Sequence, residues 1–321
     1  MEVSRLRLAA IDIGTNTVRL LVADFDAAGR RHDIARRTSI TRLGQGVGES
    51  GSFRPEAVVR TLETLGAYAD ETGRLGVEAT RVIATSAARD AADSREFADA
   101  ARQILDVELE IIDGLTEAEL AWLGATADYP FSNPDTPVLV FDVGGGSTEL
   151  ITGSGRRMIA ARSLNIGSVR LTEQFVRHDP PTPKEMTAIG RHVAQQVATG
   201  LREVKPQLEG LVVIGVAGTV TTIQAVDMQL DTYAPEAIHL STLTGAAVNR
   251  VLELLLSMPL AERSSLPGLE PKRADVIIAG TVITAAVLEA AHADRLTVSE
   301  SDILDGVLLS LAAEHGVIAG S

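Results

Sequence analysis

The chain of 321 residues contains no cysteine, few aromatic side chains and only three lysines among its 29 basic residues. The lack of cysteine excludes disulfide bonds and thiolate chemistry. Aromatic residues make up 3% of the chain against 45% hydrophobic residues, so the core must consist mainly of Ala, Val, Leu and Ile. The length is that of about two domains.

Long apolar segments and an excess of positive charge are also missing. The longest uncharged apolar stretch, Val276 to Leu288, is too short to cross a bilayer. No apolar signal region precedes the first strand, which begins by Leu8, so we expect a cytoplasmic protein with no membrane partner. A net charge of −14 argues against a nucleic-acid partner, which would require a basic surface.

Two segments of the sequence match each other at an offset of 130 residues. Residues 8–21 read LAAIDIGTNTVRLL, and residues 138–151 read VLVFDVGGGSTELI. Each is an apolar strand that ends in an acid and a small-residue turn, followed by a second strand. Such turns bring consecutive backbone amides close to an anion, and the acid can hold a hard cation. The repeat therefore predicts a duplicated nucleotide- or phosphate-binding unit.

These turns, with a third at residues 215–219, supply the candidate ligand-binding residues. The predicted phosphate contacts are Gly14, Thr15, Asn16, Thr17, Gly144, Gly145, Gly146, Ser147, Thr148, Gly218 and Thr219. The predicted carboxylate ligands for Mg²⁺ are Asp12, Asp142 and Glu149. The alternatives are that the two aspartates cap their turns and that Glu149 faces solvent.

Strand and helix patterns alternate along both halves of the chain, which predicts an α/β fold. Strands are predicted at 8–13, 18–26, 31–40, 80–84, 108–112, 138–143, 147–153, 157–164, 211–215 and 296–298. Helices are predicted at 55–72, 94–105, 116–127, 183–204, 242–257 and 271–292, with a last helix after Ser299. We expect two mixed α/β domains, 1–127 with 300–321 and 128–299, and a ligand in a cleft between them.

Two further residues follow predicted strands and could carry chemistry. Glu117 lies at the start of a helix, where a carboxylate could activate water or simply interact with the helix dipole. Thr116 and Glu119 match a capping box, with Thr116 as the N-cap. Arg89 follows a run of small residues and could bind phosphate or lie on the surface.

Taken together, these segments resemble the exopolyphosphatase/guanosine pentaphosphate phosphohydrolase (Ppx/GppA) family of the acetate kinase, sugar kinase, heat-shock ATPase and actin superfamily. The resemblance covers essentially the whole chain and is carried by residues 12–17, 84–89, 114–120, 141–150, 163–171 and 217–219. It implies two duplicated actin-like (ribonuclease H-like) domains with mixed sheets and an interdomain cleft. The chain resembles the short form of the family, without the additional C-terminal helical domain, and the last helix is expected to pack on the first domain.

The resemblance also implies roles for individual residues. Glu117 falls at the position of the catalytic glutamate, Arg89 at that of a phosphate-contacting arginine, and Asp142 and Glu149 at those of the metal-associated acids. Three departures from the family pattern are Thr116 in place of a second acid, Leu304 in place of an arginine, and Leu240 where glycine is frequent. They bear on substrate preference more than on hydrolysis.

The expected function is a Mg²⁺-dependent exopolyphosphatase that releases terminal phosphate from inorganic polyphosphate by water attack. Short chains are expected to be used at least as well as long ones, because the net negative surface repels whatever protrudes. The rival substrate is guanosine pentaphosphate. The rivals of other classes are an ATP-dependent kinase and a nucleotide or polyphosphate sensor without turnover. The sequence does not determine the oligomeric state, and a homodimer is one of the assemblies that it allows.

Overall fold

The computed structural model describes residues 5–318, and these residues pack as two compact units. The described residues up to Gly124, together with those from Ile303 onward, form the first unit. Ala125–Asp302 form the second unit. No helix among the described residues is both long enough and apolar enough to cross a membrane.

Each sheet begins with three consecutive strands, and helices and further strands follow along the chain. As far as the first unit boundary they are β1 (Leu6–Ile13), β2 (Thr17–Phe25), β3 (Arg31–Ile40), α1 (Val47–Ser50), α2 (Pro55–Leu75), β4 (Ala79–Ala84), α3 (Ser86–Asp90), α4 (Ser94–Leu105), β5 (Leu109–Ile111) and α5 (Gly114–Ala127). The next are β6 (Pro137–Val143), β7 (Thr148–Ser154), β8 (Arg157–Leu164), α6 (Ser168–Phe175), α7 (Pro183–Val204), β9 (Val212–Val216), α8 (Ala217–Asp227), α9 (Pro235–Ile238) and β10 (Thr242–Thr244). The last are α10 (Gly245–Leu256), α11 (Leu260–Arg263), α12 (Ile277–Ala290), β11 (Arg295–Val298) and α13 (Ile303–Glu314).

The two sheets share one topology. The first has the order β3-β2-β1-β4-β5, with β1, β2 and β3 antiparallel and β1, β4 and β5 parallel. The second has the order β10-β11-β9-β6-β7-β8, in which β8-β7-β6-β9-β11 repeats that arrangement and β10 adds an antiparallel edge strand. The predicted α/β class with two duplicated units of mixed sheet is therefore confirmed.

The burial of each strand follows its place in the sheet. The central strand β1 is apolar over most of its length and is buried from Leu8 to Ile13, whereas the edge strand β3 exposes most of its side chains. Helix α13 packs against β1, β2 and β4 of the first unit. Its Asp305 is fully buried and accepts hydrogen bonds from Arg31 (2.7 Å) and Arg36 (2.5 Å) of β3. Two arginines thus provide the charge that a buried carboxylate requires.

Most predicted elements agree with the structure, and four predictions require correction. Residues 242–244 form a strand rather than the start of a helix, and residues 271–273 form a 3-10 turn that precedes α12. Helix α5 begins at Gly114 instead of Thr116, whereas the last helix, Ile303–Glu314, follows Ser299 as predicted. The predicted cap at Thr116 is wrong, because Asp113 accepts a hydrogen bond from the Thr116 amide (2.8 Å) and Glu119 is exposed.

Candidate functional site

The same backbone hydrogen bond closes both repeated turns. In the first unit the Gly14 amide donates to the Thr17 carbonyl (2.9 Å), and in the second the Gly144 amide donates to the Ser147 carbonyl (3.0 Å). The sequence offset of 130 therefore corresponds to a structural repeat. Both turns connect the first strand of their sheet to its antiparallel neighbour, β1 to β2 and β6 to β7.

The carbonyl groups of the second turn are held by the segment that begins α6. Ser168 N donates to Gly144 O (2.9 Å), Val169 N to Gly145 O (2.9 Å), and Arg170 Nε to Gly146 O (2.7 Å). Since N–H and C=O point in opposite directions in a trans peptide, the amides of the next three residues face away from this segment. These amides, of residues 145–147, have no hydrogen-bond acceptor within residues 5–318.

The first turn is held in the same way by the loop after β3. Gly44 N donates to Thr15 O (2.9 Å), and Thr41 N (3.1 Å) and Arg42 N (3.0 Å) both donate to Asn16 O. Thr15 and Asn16 are buried, and within the described residues Asn16 Oδ1 has no hydrogen-bond partner. In both turns the carbonyl groups are held by a neighbouring segment, which leaves the following amides on the opposite side; amides so placed could bind an anion.

The acids that precede the two turns face different partners. Asp12 lies opposite Arg19 in the β1–β2 pair, and Arg19 Nη2 donates to Asp12 Oδ2 at 2.6 Å. Asp142 lies opposite Glu149 in the β6–β7 pair. Both acids of the second unit are buried, with 7% and 1% of their surface exposed, so the alternative of a solvent-facing Glu149 is excluded. Ser163 Oγ donates to Glu149 at 2.7 Å.

Glu117 lies in the first turn of α5, and its side chain is buried (8% exposed) beside Arg89 from α3. Arg89 Nη1 donates to Glu117 Oε2 (2.6 Å) and to the Ile112 carbonyl (2.9 Å). Nε and Nη2 of Arg89 have no acceptor in the described part of the chain. The pair is therefore a carboxylate fixed by an arginine that keeps further N–H donors for an anion.

The pKa of Glu117 is raised from 4.5 to about 7, mainly because burial penalises the charged carboxylate. Arg89 opposes this shift through its charge and its hydrogen bond, Asp12 reinforces it through its negative charge, and Arg19 opposes it. These four side chains thus form one electrostatic cluster in the first unit. A carboxyl group with a pKa near 7 is suited to general acid–base chemistry at neutral pH.

Three of the predicted phosphate contacts have close neighbours within the second unit. The Thr148 hydroxyl donates to Ile166 O (2.7 Å) and the Thr219 hydroxyl to Val143 O (2.9 Å), so neither hydrogen is available to a phosphate. A Cβ added to Gly218 would lie only 2.2 Å from Nη1 of Arg273, so the α-carbon of Gly218 is covered by that guanidinium. The guanidinium of Arg273 therefore lies against the third predicted turn.

The structure also brings in residues to which the sequence analysis gave no individual role, namely Arg19, Thr41 and Ser163. A signal for Arg19 was present, since the offset of 130 aligns it with Glu149. The other contacts join segments without a recognisable spacing. No group of three or more His, Asp or Glu side chains that could hold a metal ion is found among residues 5–318.

Comparisons with known proteins agree with this architecture. The model of the Ppx/GppA phosphatase family matches residues 21–315. Exopolyphosphatase 2 of Mycobacterium tuberculosis is 41% identical over 318 residues, covering 95% of this chain and 98% of the relative. The crystal structure of the Aquifex aeolicus Ppx/GppA family member has a TM-score of 0.82 at 30% identity, covering 99% of this chain and 100% of that chain. An exopolyphosphatase structure from Cytophaga hutchinsonii has a TM-score of 0.87 at 27% identity, covering 98% and 100%.

The exopolyphosphatase relatives and the family match, together with the duplicated mixed sheets, place this protein in the class of phosphoanhydride hydrolases. The length of the family match and the 41% identity then decide its membership. The chain belongs to the Ppx/GppA phosphatase family.

Proposed function

We propose that this protein is a Mg²⁺-dependent exopolyphosphatase that releases terminal phosphate from inorganic polyphosphate, with water as the acceptor. The observation that carries the proposal is the environment of Glu117. It is a buried carboxylate with a pKa near 7, and it lies beside an arginine, Arg89, that could also bind phosphate. The name of the 41% identical relative, exopolyphosphatase 2, supports this substrate class.

In this proposal the cluster of the first unit activates water. Glu117 accepts a proton from the attacking water, and Arg89 holds Glu117 Oε2 while its remaining N–H groups stabilise phosphate charge. The second unit binds the phosphate oxygens with the amides of residues 145–147. The amides donate to charge that is already present and to charge that develops on the leaving oxygen.

Asp142 and Glu149 fit a magnesium site. They lie opposite each other in the β6–β7 pair, and two neighbouring carboxylates are the oxygen ligands that a hard cation prefers. Mg²⁺ is commonly bound by one or two carboxylates together with substrate phosphates. When bound, the ion supplies charge neutralisation to the phosphates. We assign no metal ligation to Asp12, since Arg19 already provides its positive charge.

The proposal includes a preference for short polyphosphates. A long polyphosphate carries far more negative charge than the site residues can balance, and the chain itself has a net charge of −14. The part of the substrate outside the site is therefore repelled, and each cleavage favours dissociation. Gel analysis of a long-chain digest should show the whole population shortening together. Full-length chains that persist beside free phosphate would contradict distributive cleavage.

The deciding experiment compares phosphate release from polyphosphate, guanosine pentaphosphate and ATP side by side, with Mg²⁺ and with excess chelator. In ¹⁸O-water the released phosphate should carry the label. Transfer to an organic acceptor without free phosphate would instead indicate a kinase. Binding of polyphosphate without any turnover would indicate a sensor.

Guanosine pentaphosphate is the second candidate substrate, and the family match is the observation that favours it. It ends in the same phosphoanhydride group, so the chemistry of Glu117 is unchanged. A kinase is the rival of another class, and the label in the ¹⁸O-water experiment separates it from a hydrolase.

A further inference from the structure

Arg170 holds the phosphate-binding turn of the second unit with both its backbone and its side chain. Its amide donates to Gly145 O (3.1 Å), and its Nε donates to Gly146 O (2.7 Å). The segment is packed so closely that a Cβ on Gly167 would lie 2.4 Å from Gly145 O. The turn at residues 144–147 and the N-terminus of α6 are therefore closely packed against each other within the second unit.

In the first unit the corresponding carbonyl is held by backbone amides, without a side chain. The carbonyl that corresponds to Gly146 O at the offset of 130 is Asn16 O, which accepts from the backbone amides of Thr41 and Arg42. Those bonds do not depend on the identity of a side chain. In the second unit, by contrast, the bond to Gly146 O comes from a guanidinium, so the turn depends on one particular residue.

The hydrogen bond from Arg170 determines the orientation of the peptide group between Gly146 and Ser147. Gly146 O and the Ser147 amide belong to the same planar peptide, so fixing the carbonyl on one side fixes the N–H on the other. Gly145 and Gly146 have little intrinsic conformational preference, and the peptide is free to rotate once the carbonyl is released. Rotation would direct a carbonyl oxygen, instead of a donor, at a bound phosphate.

We propose that Arg170 is a positioning residue of the phosphate site, which keeps the peptide between Gly146 and Ser147 turned with its N–H toward the substrate. This inference rests on the proposed function for the identity of the phosphate. It does not require Arg170 itself to touch the substrate, and it assigns a task to a residue of the 163–171 motif.

The test compares Arg170→Met, which removes the donor, with Arg170→Lys, which keeps one. The matched control is Arg156→Met, because Arg156 also donates to two backbone carbonyls of the second unit, Thr126 O and Ala127 O, outside the turn. Amide hydrogen exchange is followed across residues 143–149, with and without Mg²⁺ and inorganic pyrophosphate. KM and kcat for polyphosphate are measured on the same preparations.

In Arg170→Met we expect exchange in residues 143–149 to accelerate, protection by Mg²⁺ and pyrophosphate to be lost, and KM to rise by roughly 10- to 100-fold with a smaller change in kcat. Arg170→Lys should recover most of both effects, and Arg156→Met should show neither. A raised KM with unchanged exchange would make Arg170 a direct phosphate contact and overturn the proposal. Faster exchange with unchanged KM and protection would also overturn it.

The exchange measurement separates this inference from the function on which it rests. If the wild-type protein releases no phosphate from polyphosphate, the proposed substrate is wrong. Protection of residues 143–149 by Mg²⁺ and pyrophosphate in the wild type, and its loss in Arg170→Met, would still support the positioning role.

Discussion

The two units place different charges at equivalent positions of one strand–turn–strand repeat. In the first, Asp12 faces Arg19 and the pair is an internal salt bridge. In the second, Asp142 faces Glu149 and both are acids. The same backbone hydrogen bond closes both turns. A duplicated scaffold thus places an arginine opposite the leading acid in one unit and a second acid in the other, and we propose that the second arrangement binds a cation.

This difference separates the tasks that we propose for the units. A salt-bridged acid needs no metal, and in the first unit its charge instead raises the pKa of the nearby Glu117. Two opposed acids attract a divalent cation and, through it, phosphates. One unit therefore prepares the base, and the other binds the charged substrate. The following predictions test this division.

The largest expected effect is on turnover. Glu117→Gln keeps the shape of the side chain but removes the base, so kcat should fall by ~10²–10⁴ with little change in KM. Phosphate release under saturating polyphosphate measures it. Glu119→Gln is the matched control, since Glu119 is exposed on the same helix two residues away. Wild-type turnover in Glu117→Gln would show that Glu117 is not the base and would favour the alternative that it interacts with the helix dipole.

The next effect is on the metal. Asp142→Asn and Glu149→Gln should each raise the Mg²⁺ concentration for half-maximal turnover by about tenfold or more, because a neutral amide is a poorer ligand than a carboxylate. Asp12→Asn should leave that concentration unchanged, as Asp12 is balanced by Arg19. An equal shift of the Mg²⁺ curve in all three variants would abolish the distinction between the units.

Glu149→Arg sharpens the same comparison by copying the pair of the first unit into the second. The variant should fold, since the introduced guanidinium would meet Asp142 as Arg19 meets Asp12, and it should lose its response to Mg²⁺. Thermal unfolding and Mg²⁺ titration of activity check the two parts. A retained Mg²⁺ response would show that Glu149 does not contribute to the metal site.

A smaller effect concerns pH. Glu117 acts as the base when it is ionised, so kcat/KM should fall as the pH drops through about 7. Asp12 raises the pKa of Glu117, and Asp12→Asn should therefore move this acid limb to lower pH by roughly half a unit. The pH–rate profile of kcat/KM measures the shift, with Glu119→Gln as the control. A limb that stays in place would show that Asp12 does not act on the base.

The smallest effect is on stability. Because the pKa of Glu117 is higher in the fold than its ordinary value of 4.5, the fold favours the protonated form. The stability contributed by this group is complete below pH 4.5 and is lost as the pH rises through 4.5 to 7. Glu117→Gln should therefore raise the melting temperature at about pH 8 by about 2–4 °C relative to wild type, and by less at about pH 4.5. Equal differences at both values would contradict it.

The repeat was accessible from the sequence because it depends on local chemistry. Apolar strands, acids and small-residue turns recur at a fixed offset, and the structure shows both turns closed by the same hydrogen bond. The same offset also aligns Arg19 of the first segment with Glu149 of the second, so this difference was visible in the sequence. Its meaning depends on the strand register, which places residues 19 and 149 opposite the acids.

The pairing of Arg89 with Glu117 was not accessible from spacing. The two residues are 28 positions apart, and they meet because β4 and β5 are parallel neighbours followed by α3 and α5. The prediction of the start of α5 was wrong for another reason. Asp113 and Thr116 are both acceptable N-cap residues three positions apart, and the capping-box pattern with Glu119 favoured Thr116 although the helix begins before it. Strand β10 has three residues, too few to show a period.

The contact between Asp305 and the arginines of β3 has a consequence for synthesis of the chain on the ribosome. The second unit is contiguous and all of its residues have been made once Asp302 is added, whereas the first unit must wait for α13. Until then Arg31 and Arg36 lack the carboxylate that they hold in the finished fold, and the faces of β1, β2 and β4 that α13 covers stay open. The half of the protein that is translated first is therefore the half that is completed last.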